Sequence, residues 1–449
     1  MTDTREDAAF RGEATELVQT LIRNQCVNDG RPESGDEWRS ADALRAYLEG
    51  GGLELETYEP TPGRVSLVTR IEGSDPAAPS LLLLGHTDVV PVTPSQWARD
   101  PFGGELVDGE VWGRGAIDML NLTATMAVAV RTLARGGFRP RGTLVYAAVA
   151  DEEAGGVHGA GWLAEHETAA VGCDYVITEM GGIVNKGRAG ATVTITVAEK
   201  GLGWRRLRIR GAPGHGSRPY GADNALVKAA EVVRRLAAYR PTPRVDDLWR
   251  AWVLDQDFDE GLAASLLDPA RIDEALGSLD PRTAALAHAC THTTFSPNVI
   301  QGGVKTNVIP DEVALDVDVR TLPGEGEEAV AAHLAEALGD LAKEVETEPL
   351  QSATASRSSG DSPLYEALGR VVAAAYPGAT LTPRLLVGGT DARFFRERGA
   401  VAYGFGLFSP AVTYEELSTR FHGVDERVDV ESLRLSTEAW IRLCGDFLG

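Results

Sequence analysis

The sequence predicts an α/β protein, with a mostly parallel sheet flanked by helices and an inserted α+β domain. Three observations favour this fold class. Short apolar runs of strand length alternate with helical patterns over the first part of the chain. Strands with period-two alternation, typical of antiparallel sheets with one solvated face, replace them from residue 191. The alternation of helices and strands then resumes from residue 362.

The first region starts with helical periodicity at 6–25 and 37–50, and the second helix ends in three consecutive glycines. Strand-like runs follow at 65–69, 81–85, 143–150 and 174–178. Between the second and third of these runs, residues 119–135 are predicted to be helical. The run LLLLG at 81–85 is continuously apolar, which is typical of a strand covered on both faces.

The middle region begins with two alternating strands, ATVTITVAEKG and WRRLRIRG, which we expect to be antiparallel and half-exposed. The elements that follow are a helix (ADNALVKAAEVVRRLAAY), a polar and irregular stretch at 240–290, strands at 293–300 and 312–320, and a helix at 325–345. The composition of 346–361 predicts a loop or hinge. We therefore predict a first domain formed by 1–190 and 347–449, interrupted by a second domain at 191–346. After 362 come a helix, the strand LTPRLLV, a helix at 390–398, the strand VAYGFG and a final helix at 431–447.

Composition excludes several classes of function. The 449 residues include 43 Lys and Arg against 66 Asp and Glu, a net charge of -23, which disfavours nucleic acids and anionic membrane surfaces as partners. No apolar run approaches the ~20 residues of a membrane span, and MTDTREDAAF lacks the apolar core of a secretory signal. The four cysteines are far apart in the sequence and form no CxxC pair, which favours a reducing cytoplasm.

Polar residues follow several of the predicted strands. Ligands of open α/β sheets bind beyond the carboxyl ends of the strands, so these residues are candidates for a site. They are His86 and Asp88, Asp118, the triplet Asp151-Glu152-Glu153, Glu179 and, late in the chain, His422. Each taken singly has an ordinary explanation: a satisfied structural histidine, a solvated turn, or a carboxylate at a helix N-terminus.

The conjunction of these residues is more informative than any one of them. Several carboxylates at one sheet edge raise each other's pKa unless a cation is present. Imidazole with carboxylate suits zinc, with cobalt or manganese as substitutes, and a carboxylate-bridged pair of ions fits the number of ligands. Asp88, two residues after His86, is placed to accept the second ring N–H of a metal-binding histidine.

At this point the chain resembles the family of two-zinc amidohydrolases and exopeptidases that includes carboxypeptidase S, glutamate carboxypeptidase, aminoacylase, acetylornithine deacetylase and succinyl-diaminopimelate desuccinylase. The matching stretches run in the family's order and span most of the chain. They are GHTDVVPV, WARDPFGGELVDGEVWGRGAIDM, ADEEAGG, ITEMGG, GAPGHGSRP, NVIQGGVKTNVIPDEVALDVDVRTLPG, GGTDARFF and FHGVDERV.

The resemblance implies a zinc exopeptidase-like catalytic domain and a role for each site residue. Asp118 would bridge two zinc ions. One ion would also be held by His86 and Glu179, and the other by Glu153 and His422. Glu152 would be the general base, taking a proton from a water between the metals and passing it to the leaving amine.

The resemblance also assigns the inserted domain as a lid and as the contact surface of a homodimer. In it, His215 would help to polarise the scissile carbonyl, and Asn307 and Arg320 would contact substrate. Gly388, Gly389 and Thr390 would line the site near the substrate carboxylate. Read without the resemblance, His215 is a surface turn residue, Arg320 an ordinary ion-pair residue and Thr390 a helix N-cap.

The implied activity is hydrolysis of a peptide or N-acyl amide bond beside a free carboxylate, as in a carboxypeptidase, dipeptidase or deacetylase. One departure matters: family members commonly carry a lysine soon after the bridging aspartate, and Leu120 stands there in this chain. Leu120 supports one alternative, a non-catalytic metal-binding or peptide-binding protein on the same scaffold. The length of 240–290 and the WARDPFGG stretch favour the carboxypeptidase S and dipeptidase-like branch.

Overall fold

A computed structural model describes residues 4–449, with side chains from residue 9 onward. The chain forms two compact units. The first contains the residues up to Val197 together with Ser358–Arg384 and Thr390–Gly449, and the second contains Ala198–Arg357 and Leu385–Gly389. Each unit has an apolar core of its own.

The α-helices of the described residues are, in chain order, α1 (Thr4–Arg23), α2 (Trp38–Leu48), α3 (Leu120–Arg135), α4 (Ala160–His166), α5 (Thr168–Val171), α6 (Ala225–Ala238), α7 (Asp247–Asp255), α8 (Glu260–Leu266), α9 (Ile272–Leu276), α10 (Pro281–Thr291), α11 (Glu327–Leu338), α12 (Pro363–Ala375), α13 (Ala392–Arg396), α14 (Tyr414–Arg420) and α15 (Val430–Leu448). Single 3₁₀ segments lie at Pro94–Gln96, Glu152–Ala154 and Gly339–Lys343.

The strands are β1 (Leu55–Tyr58), β2 (Ser66–Ile71), β3 (Leu81–His86), β4 (Glu105–Val107), β5 (Glu110–Trp112), β6 (Leu144–Val149), β7 (Tyr175–Thr178), β8 (Val184–Gly187), β9 (Gly190–Glu199), β10 (Gly201–Arg210), β11 (Gly214–His215), β12 (Thr294–Gly302), β13 (Val308–Ile309), β14 (Glu312–Thr321), β15 (Val345–Ala353), β16 (Ser356–Arg357), β17 (Thr380–Leu386), β18 (Val401–Gly404) and β19 (Arg427–Asp429).

The first unit is built on a sheet with the strand order β1-β2-β6-β3-β7-β18-β9. Its centre is parallel, because β3 pairs in parallel with β6 and β7, and β18 pairs in parallel with β7. The flanking pairs β1–β2, β2–β6 and β18–β9 are antiparallel. The predicted fold class, a mostly parallel sheet flanked by helices with an α+β insertion, is confirmed.

The four consecutive leucines of β3 are buried because helices cover both faces of the sheet. Successive side chains of a strand point to opposite faces. Leu82 and Leu84 belong to a core that includes residues of α4, α5 and α13. A second helical layer consists of α1, α3, α12 and α15, which pack against one another. Every residue of β3 is buried, as predicted for the apolar run 81–85, and His86 at the end of the strand is buried as well.

The second unit contains an antiparallel sheet with the order β12-β14-β10-β15. Burial alternates along β10 and β14, so each strand has one covered and one open face. The covered face, which includes Leu207, Ile209 and Val317, packs against α6 and α11. The other face carries arginines and carboxylates, among them Arg206 and Asp316.

The prediction of an irregular stretch at 240–290 was wrong. This segment forms α7, α8, α9 and α10 around a buried cluster that includes Trp249 and Trp252. The helices have 5 to 11 residues, too few to display a clear helical period. Asp246, Asp259 and Asp280, which contribute to the polar appearance of the stretch, are N-caps.

Two further expectations about the middle region were wrong. Much of the expected loop at 346–361 is strand β15, whose exposed side chains and position at the sheet edge explain its polar composition. β9 is antiparallel to β8, β16 and β18, as predicted, but Thr192–Glu199 are buried instead of half-exposed. The threonines of β9 alternate with apolar residues, yet both faces are covered.

The domain limits predicted from the sequence fall inside strands. The limit at 190/191 lies at the start of β9, and the limit at 346/347 lies within β15, whereas the compact units change at 197/198 and 357/358. Among the described residues, no helix has both the length and the apolar character that crossing a bilayer requires.

Candidate metal and active site

The site residues of the first unit emerge at one edge of its sheet. His86 is the last residue of β3, Asp151–Glu153 follow β6, and Glu179 follows β7. β3 lies between β6 and β7 and is parallel to both, so the carboxyl ends of all three strands meet. Side chains that are up to 93 residues apart in the sequence are thereby brought together.

One cluster consists of His86, Asp118 and Glu179, all of them at least 94% buried. His86 Nε2 lies 3.4 Å from Asp118 Oδ1 and 3.9 Å from Glu179 Oε1. Asp118 is delivered by the turn that precedes α3.

A second cluster uses the other oxygen of the same aspartate. His422 Nε2 lies 3.0 Å from Asp118 Oδ2 and 3.2 Å from Glu153 Oε2. The His422 side chain is 52% exposed, so this cluster is the more open of the two. Asp118 is therefore shared, with one carboxylate oxygen facing each histidine.

The donor atoms of these clusters fit divalent metal ions. His86 Nε2 and Glu153 Oε1 are buried and have no hydrogen-bond partner within the described part of the chain. Buried polar atoms are normally paired, so two unpaired atoms within one acidic cluster indicate that the cluster is suited to bind a cation. Ligand atoms of His86, Glu152 and Glu179, and again those of His86, Asp118 and Glu153, lie within 4.8 Å of one another.

Glu152 lies beside both clusters. Burial raises the pKa of its carboxyl well above the usual range; His86 opposes this shift, and the carboxylates of Asp391, Glu153 and Asp118 reinforce it. A strongly perturbed carboxyl group in a cluster of this kind is a candidate for proton transfer. Distance alone allows Glu152 to be a ligand or a base, because it lies within ligand range of His86 and Glu179.

The pKa shifts of the clustered residues indicate that the clusters favour a positive charge. Burial raises the pKa of Asp118, but the nearby His422 and His86 outweigh burial and leave it far below the usual range. Hydrogen bonds to Asp118 and Glu153 raise the pKa of His422 to about 10. Burial, followed by the nearby Asp118 and Glu152, raises the pKa of Glu179 well above the usual range. A metal would replace these protons as the counter-charge.

The acceptor for the second ring nitrogen of His86 differs from the one expected. His86 Nδ1 lies 2.9 Å from the backbone carbonyl oxygen of Asp88 and 3.5 Å from its carboxylate. The Nδ1–H tautomer donates to that carbonyl and leaves Nε2 free to face the cluster. The Asp88 carboxylate instead accepts hydrogen bonds from the backbone N–H groups of Glu152 and Glu153, at 3.2 and 3.0 Å.

Sequence reasoning missed Glu426, which holds the turn that delivers Asp118. Its fully buried carboxylate accepts from the backbone N–H groups of Gly115 (3.1 Å), Ile117 (2.8 Å) and Asp118 (3.2 Å). Arg114 Nη1 also donates to it at 2.7 Å. The FHGVDERV stretch contained this residue, but nothing in the sequence indicates that it meets residues more than 300 positions away.

Asp391 was also missed, although it belongs to the GGTDARFF stretch. It is 2% exposed, and neither carboxylate oxygen has a hydrogen-bond partner among the described residues. Burial raises its pKa to about 7, against the opposing effect of Arg393. A Cβ atom at Gly156 would lie 2.1 Å from Asp391 Oδ1, so glycine is required where the turn after Glu153 meets this carboxylate.

The other predicted substrate residues divide between the units. Thr390 lies in the first unit and is 1% exposed, and its hydroxyl oxygen accepts a hydrogen bond from the N–H of Ala392, the first residue of α13. His215, Asn307, Arg320 and Gly389 lie in the second unit.

Within the second unit, His215 and Asn307 are neighbours. β11 pairs with β13, and the N–H of Gly216 donates to the carbonyl of Asn307 at 2.8 Å. The exposed His215 ring accepts from, or donates to, Ser217 Oγ at 2.7 Å. Arg320 donates to Asp318 Oδ1 at 2.8 Å and lies over the Trp204 ring, so its charge already has a partner.

Leu120 is a packed core residue. It is 1% exposed and begins α3, and its backbone N–H donates to the carbonyl of Gly115 at 2.9 Å. Gly115 has a φ of +85°, and a Cβ atom there would lie 2.7 Å from Leu120 Cδ1. The side chain thus packs against the turn that carries Asp118.

The sheet topology and the paired histidine–carboxylate clusters define a metal-dependent hydrolase of the α/β class, with its site beyond the carboxyl ends of parallel strands. Residues 82–446 match Peptidase family M20/M25/M40. The chain belongs to this family, and the resemblance inferred from the motifs is confirmed. The family supports a hydrolase that acts on amide bonds.

Curated relatives carry several names. The chain is 28% identical over 396 residues to N-fatty-acyl-amino acid synthase/hydrolase PM20D1 of Xenopus tropicalis, covering 85% of this chain and 75% of that relative. It is 28% identical to aminoacylase-1 of Sus scrofa, covering 79% and 78%. It is 28% identical to succinyl-diaminopimelate desuccinylase of Cereibacter sphaeroides, covering 96% and 98%.

Solved structures show the same fold. The M20 family metallo-carboxypeptidase Sso-CP2 from Sulfolobus solfataricus superposes with a TM-score of 0.75 at 18% identity, covering 96% of this chain and 98% of that one. The di-peptidase Dug1p from Saccharomyces cerevisiae superposes with a TM-score of 0.70 at 17% identity, covering 98% of both chains.

Proposed function

We propose that this protein is a zinc-dependent hydrolase with two metal ions, which cleaves a peptide or N-acyl amide bond next to a free carboxylate. The observation that carries the proposal is the pair of histidine–carboxylate clusters that share Asp118, with Glu152 beside them. In this assignment His86, Asp118 and Glu179 would hold one ion, and Asp118, Glu153 and His422 would hold the other.

The residues of the chain divide the chemistry. Two divalent ions, when bound, would supply Lewis acidity for activating water and polarising the amide carbonyl. Glu152 would accept the proton of the attacking water and then deliver it to the leaving nitrogen. Asp88 holds the turn that carries Glu152 and Glu153 through their backbone N–H groups.

Substrate recognition is proposed for the second unit and the loop that enters α13. His215 would polarise the scissile carbonyl and Asn307 would contact substrate, while Arg320, Gly389 and Thr390 would line the position of the free carboxylate. Arg320 is paired with Asp318, so an incoming carboxylate would bind to the guanidinium N–H groups that this aspartate leaves available.

The test is elemental analysis of protein purified without chelator, together with a panel of dipeptides, N-acetyl amino acids and N-acyl amino acids with longer chains. Zinc, cobalt and manganese are added back to separate samples. We expect close to two zinc ions per chain and hydrolysis only of amides beside a free carboxylate. Amidated versions of the same substrates are the matched controls. Two bound metals without turnover would favour the alternative, a non-catalytic metal-binding or peptide-binding protein.

We also propose that the protein is a homodimer formed through the second unit. β12 is an edge strand on which Val299 and Ile300 are 46% and 53% exposed. α6, which packs against β12, exposes Leu226 and Val227 by 49% and 67%. An exposed apolar edge of this kind is a template for pairing with another chain. Light scattering should give twice the chain mass, and Ile300→Lys should reduce it to the monomer mass.

A cytoplasmic location completes the proposal. None of the four cysteines, all of them among the described residues, forms a disulfide, which suits a reducing compartment. Tagging the protein and fractionating its host cells would test the location directly.

A further inference from the structure

The turn that carries the two functional glutamates begins with an unusual backbone conformation. Asp151, at its start, has a φ of +73°, in the left-handed region that residues other than glycine seldom adopt. Such a residue persists where its surroundings hold it firmly. Glu152 and Glu153 follow directly, so any relaxation at Asp151 would redirect both carboxylates.

Asn28 lies between the two carboxylates that hold this turn. Its amide nitrogen donates to Asp88 Oδ2 at 2.9 Å and lies 3.4 Å from Asp151 Oδ1. Asp88 in turn accepts from the N–H groups of Glu152 and Glu153. A chain of hydrogen bonds therefore leads from Asn28 to the backbone of both glutamates. Asn28 itself is 2% exposed.

The orientation of the Asn28 amide is fixed from its other side. Its carbonyl oxygen accepts from Arg64 Nη2 and from the N–H of Gly30, each at 3.0 Å. Arg64 Nη1 also donates to Glu37 Oε1 at 2.6 Å, and both partners of this ion pair are at least 97% buried. Glu37 Oε1 further accepts from the backbone N–H of Asp151 at 3.3 Å. The turn is therefore held at Asp151 by Glu37 and at Glu152 and Glu153 by Asp88.

We propose that Asn28 is a positioning residue for Glu152 and Glu153, acting through Asp88 and supported by the buried Glu37–Arg64 pair. The proposal rests on the function proposed above, because it concerns the base and one metal ligand of that reaction. A neutral amide suits this position, since both groups to which its nitrogen points are carboxylates and a third negative charge there would repel them.

The test is made at Asn28 because it is neutral. Removing Arg64 would leave Glu37 buried without its counter-charge, so loss of folding would mask any effect on position. Asn28→Ala removes the amide, and Asn28→Asp keeps its shape while replacing both donor hydrogens by a third negative charge beside Asp88 and Asp151. Thr69→Val is the matched control, because Thr69 is a buried residue of strand β2 in the same unit and its hydroxyl donates a hydrogen bond to the carbonyl of Glu54.

Three measurements are made on the metal-loaded full chain. Removing a group that orients site residues typically costs about 10–100-fold in activity or metal affinity, so we expect kcat to fall by that factor in both Asn28 variants. KM should remain unchanged, because Asn28 does not touch substrate. Amide hydrogen exchange of the peptide covering 150–156 should become faster in both variants and remain unchanged in Thr69→Val.

Several results would overturn the proposal. These are a kcat loss no larger than that of Thr69→Val, a rise in KM with kcat unchanged, or unaltered exchange at 150–156. Failure of the proposed function has a different signature, namely metal-loaded wild-type protein that hydrolyses nothing in the panel. In that case hydrogen exchange alone decides: faster exchange in both Asn28 variants supports the positioning role, and unchanged exchange refutes it.

Discussion

Charged residues are abundant in two regions of this protein, and they are arranged in opposite ways. The first is the site edge, formed by His86, Asp118, Glu152, Glu153, Glu179 and His422. The second is the open face of the second unit's sheet, hereafter the charged sheet face, formed by Arg206, Arg208, Arg210, Glu312, Asp316, Glu346 and Glu348. On the charged sheet face each arginine pairs with a carboxylate on a neighbouring strand and both partners are partly exposed.

At the site edge carboxylates outnumber histidines, most are buried, and two buried atoms have no hydrogen-bond partner within the described chain. Burying such groups without partners costs free energy, so they are retained for what they bind. Exposed cross-strand pairs cost little and contribute little. In this protein, burial combined with missing hydrogen-bond partners therefore marks the functional site, whereas a high density of charged residues does not.

The largest expected effect is at the site edge. Glu152→Ala should reduce kcat by about 10²–10⁴-fold, the usual contribution of a general acid–base group, while the metal remains bound. Steady-state kinetics and elemental analysis measure the two quantities. Glu348→Ala, on the charged sheet face, is the control and should leave both unchanged. Near-normal turnover in Glu152→Ala would exclude it as the base.

The second-largest effect is expected at the buried Arg114–Glu426 pair, which holds the turn that delivers Asp118. Arg114→Met would leave the Glu426 carboxylate buried without a counter-charge and should lower the free energy of unfolding by about 3–5 kcal/mol. Denaturant unfolding of the first unit measures this change. A loss below about 1 kcal/mol, as for an exposed pair, would show that the backbone N–H groups around Glu426 suffice.

The next prediction concerns competition between metal ions and protons at the site edge. The pKa of His422 is raised to about 10 in the metal-free chain by Asp118 and Glu153. Its contribution to metal-free stability is therefore fully present below the unfolded value of about 6.5 and is lost as the pH rises through about 10. Metal competes with this proton, so affinity should rise with pH, by about tenfold per unit for each proton released.

Calorimetric titration of metal into the metal-free chain, repeated in buffers of different ionisation enthalpy, counts the released protons. The charged sheet face contains no histidine, so it should release no protons between pH 6 and 9. Affinity that stays constant between pH 6 and 9 would contradict the assignment of His422 as a ligand.

The smallest effect is expected on the charged sheet face. Arg206 contacts both oxygens of Asp316, at 2.7 and 2.8 Å, with side chains that are 30% and 22% exposed. Arg206→Met should change the free energy of unfolding by only about 0–1 kcal/mol and leave kcat unchanged. Repeating the unfolding measurement at high salt shows how much of this free-energy change is electrostatic. A loss equal to that of Arg114→Met would erase the distinction between the two regions.

Much of the fold could be read from the sequence because its signals are local. The LLLLG run identifies a strand covered on both faces, and the alternation along β10 identifies a sheet with one open face. Local patterns failed where elements are short or lie at an edge. The four helices of 240–290 are too brief to show a period, and β15 is polar because it is an exposed edge strand.

For the site, the sequence by itself determined which residue types follow which strands, and so nominated His86, Asp118, Glu152, Glu153, Glu179 and His422. Only the tertiary structure decided what holds them. Three contacts between distant segments show this. The Asp88 carboxylate accepts hydrogen bonds from the backbone of the Glu152–Glu153 turn, Glu426 accepts from the turn before α3, and Asn28 accepts from Arg64. Such contacts follow from packing of the whole chain, because hydrogen bonds across a buried core depend on distances that no local period encodes.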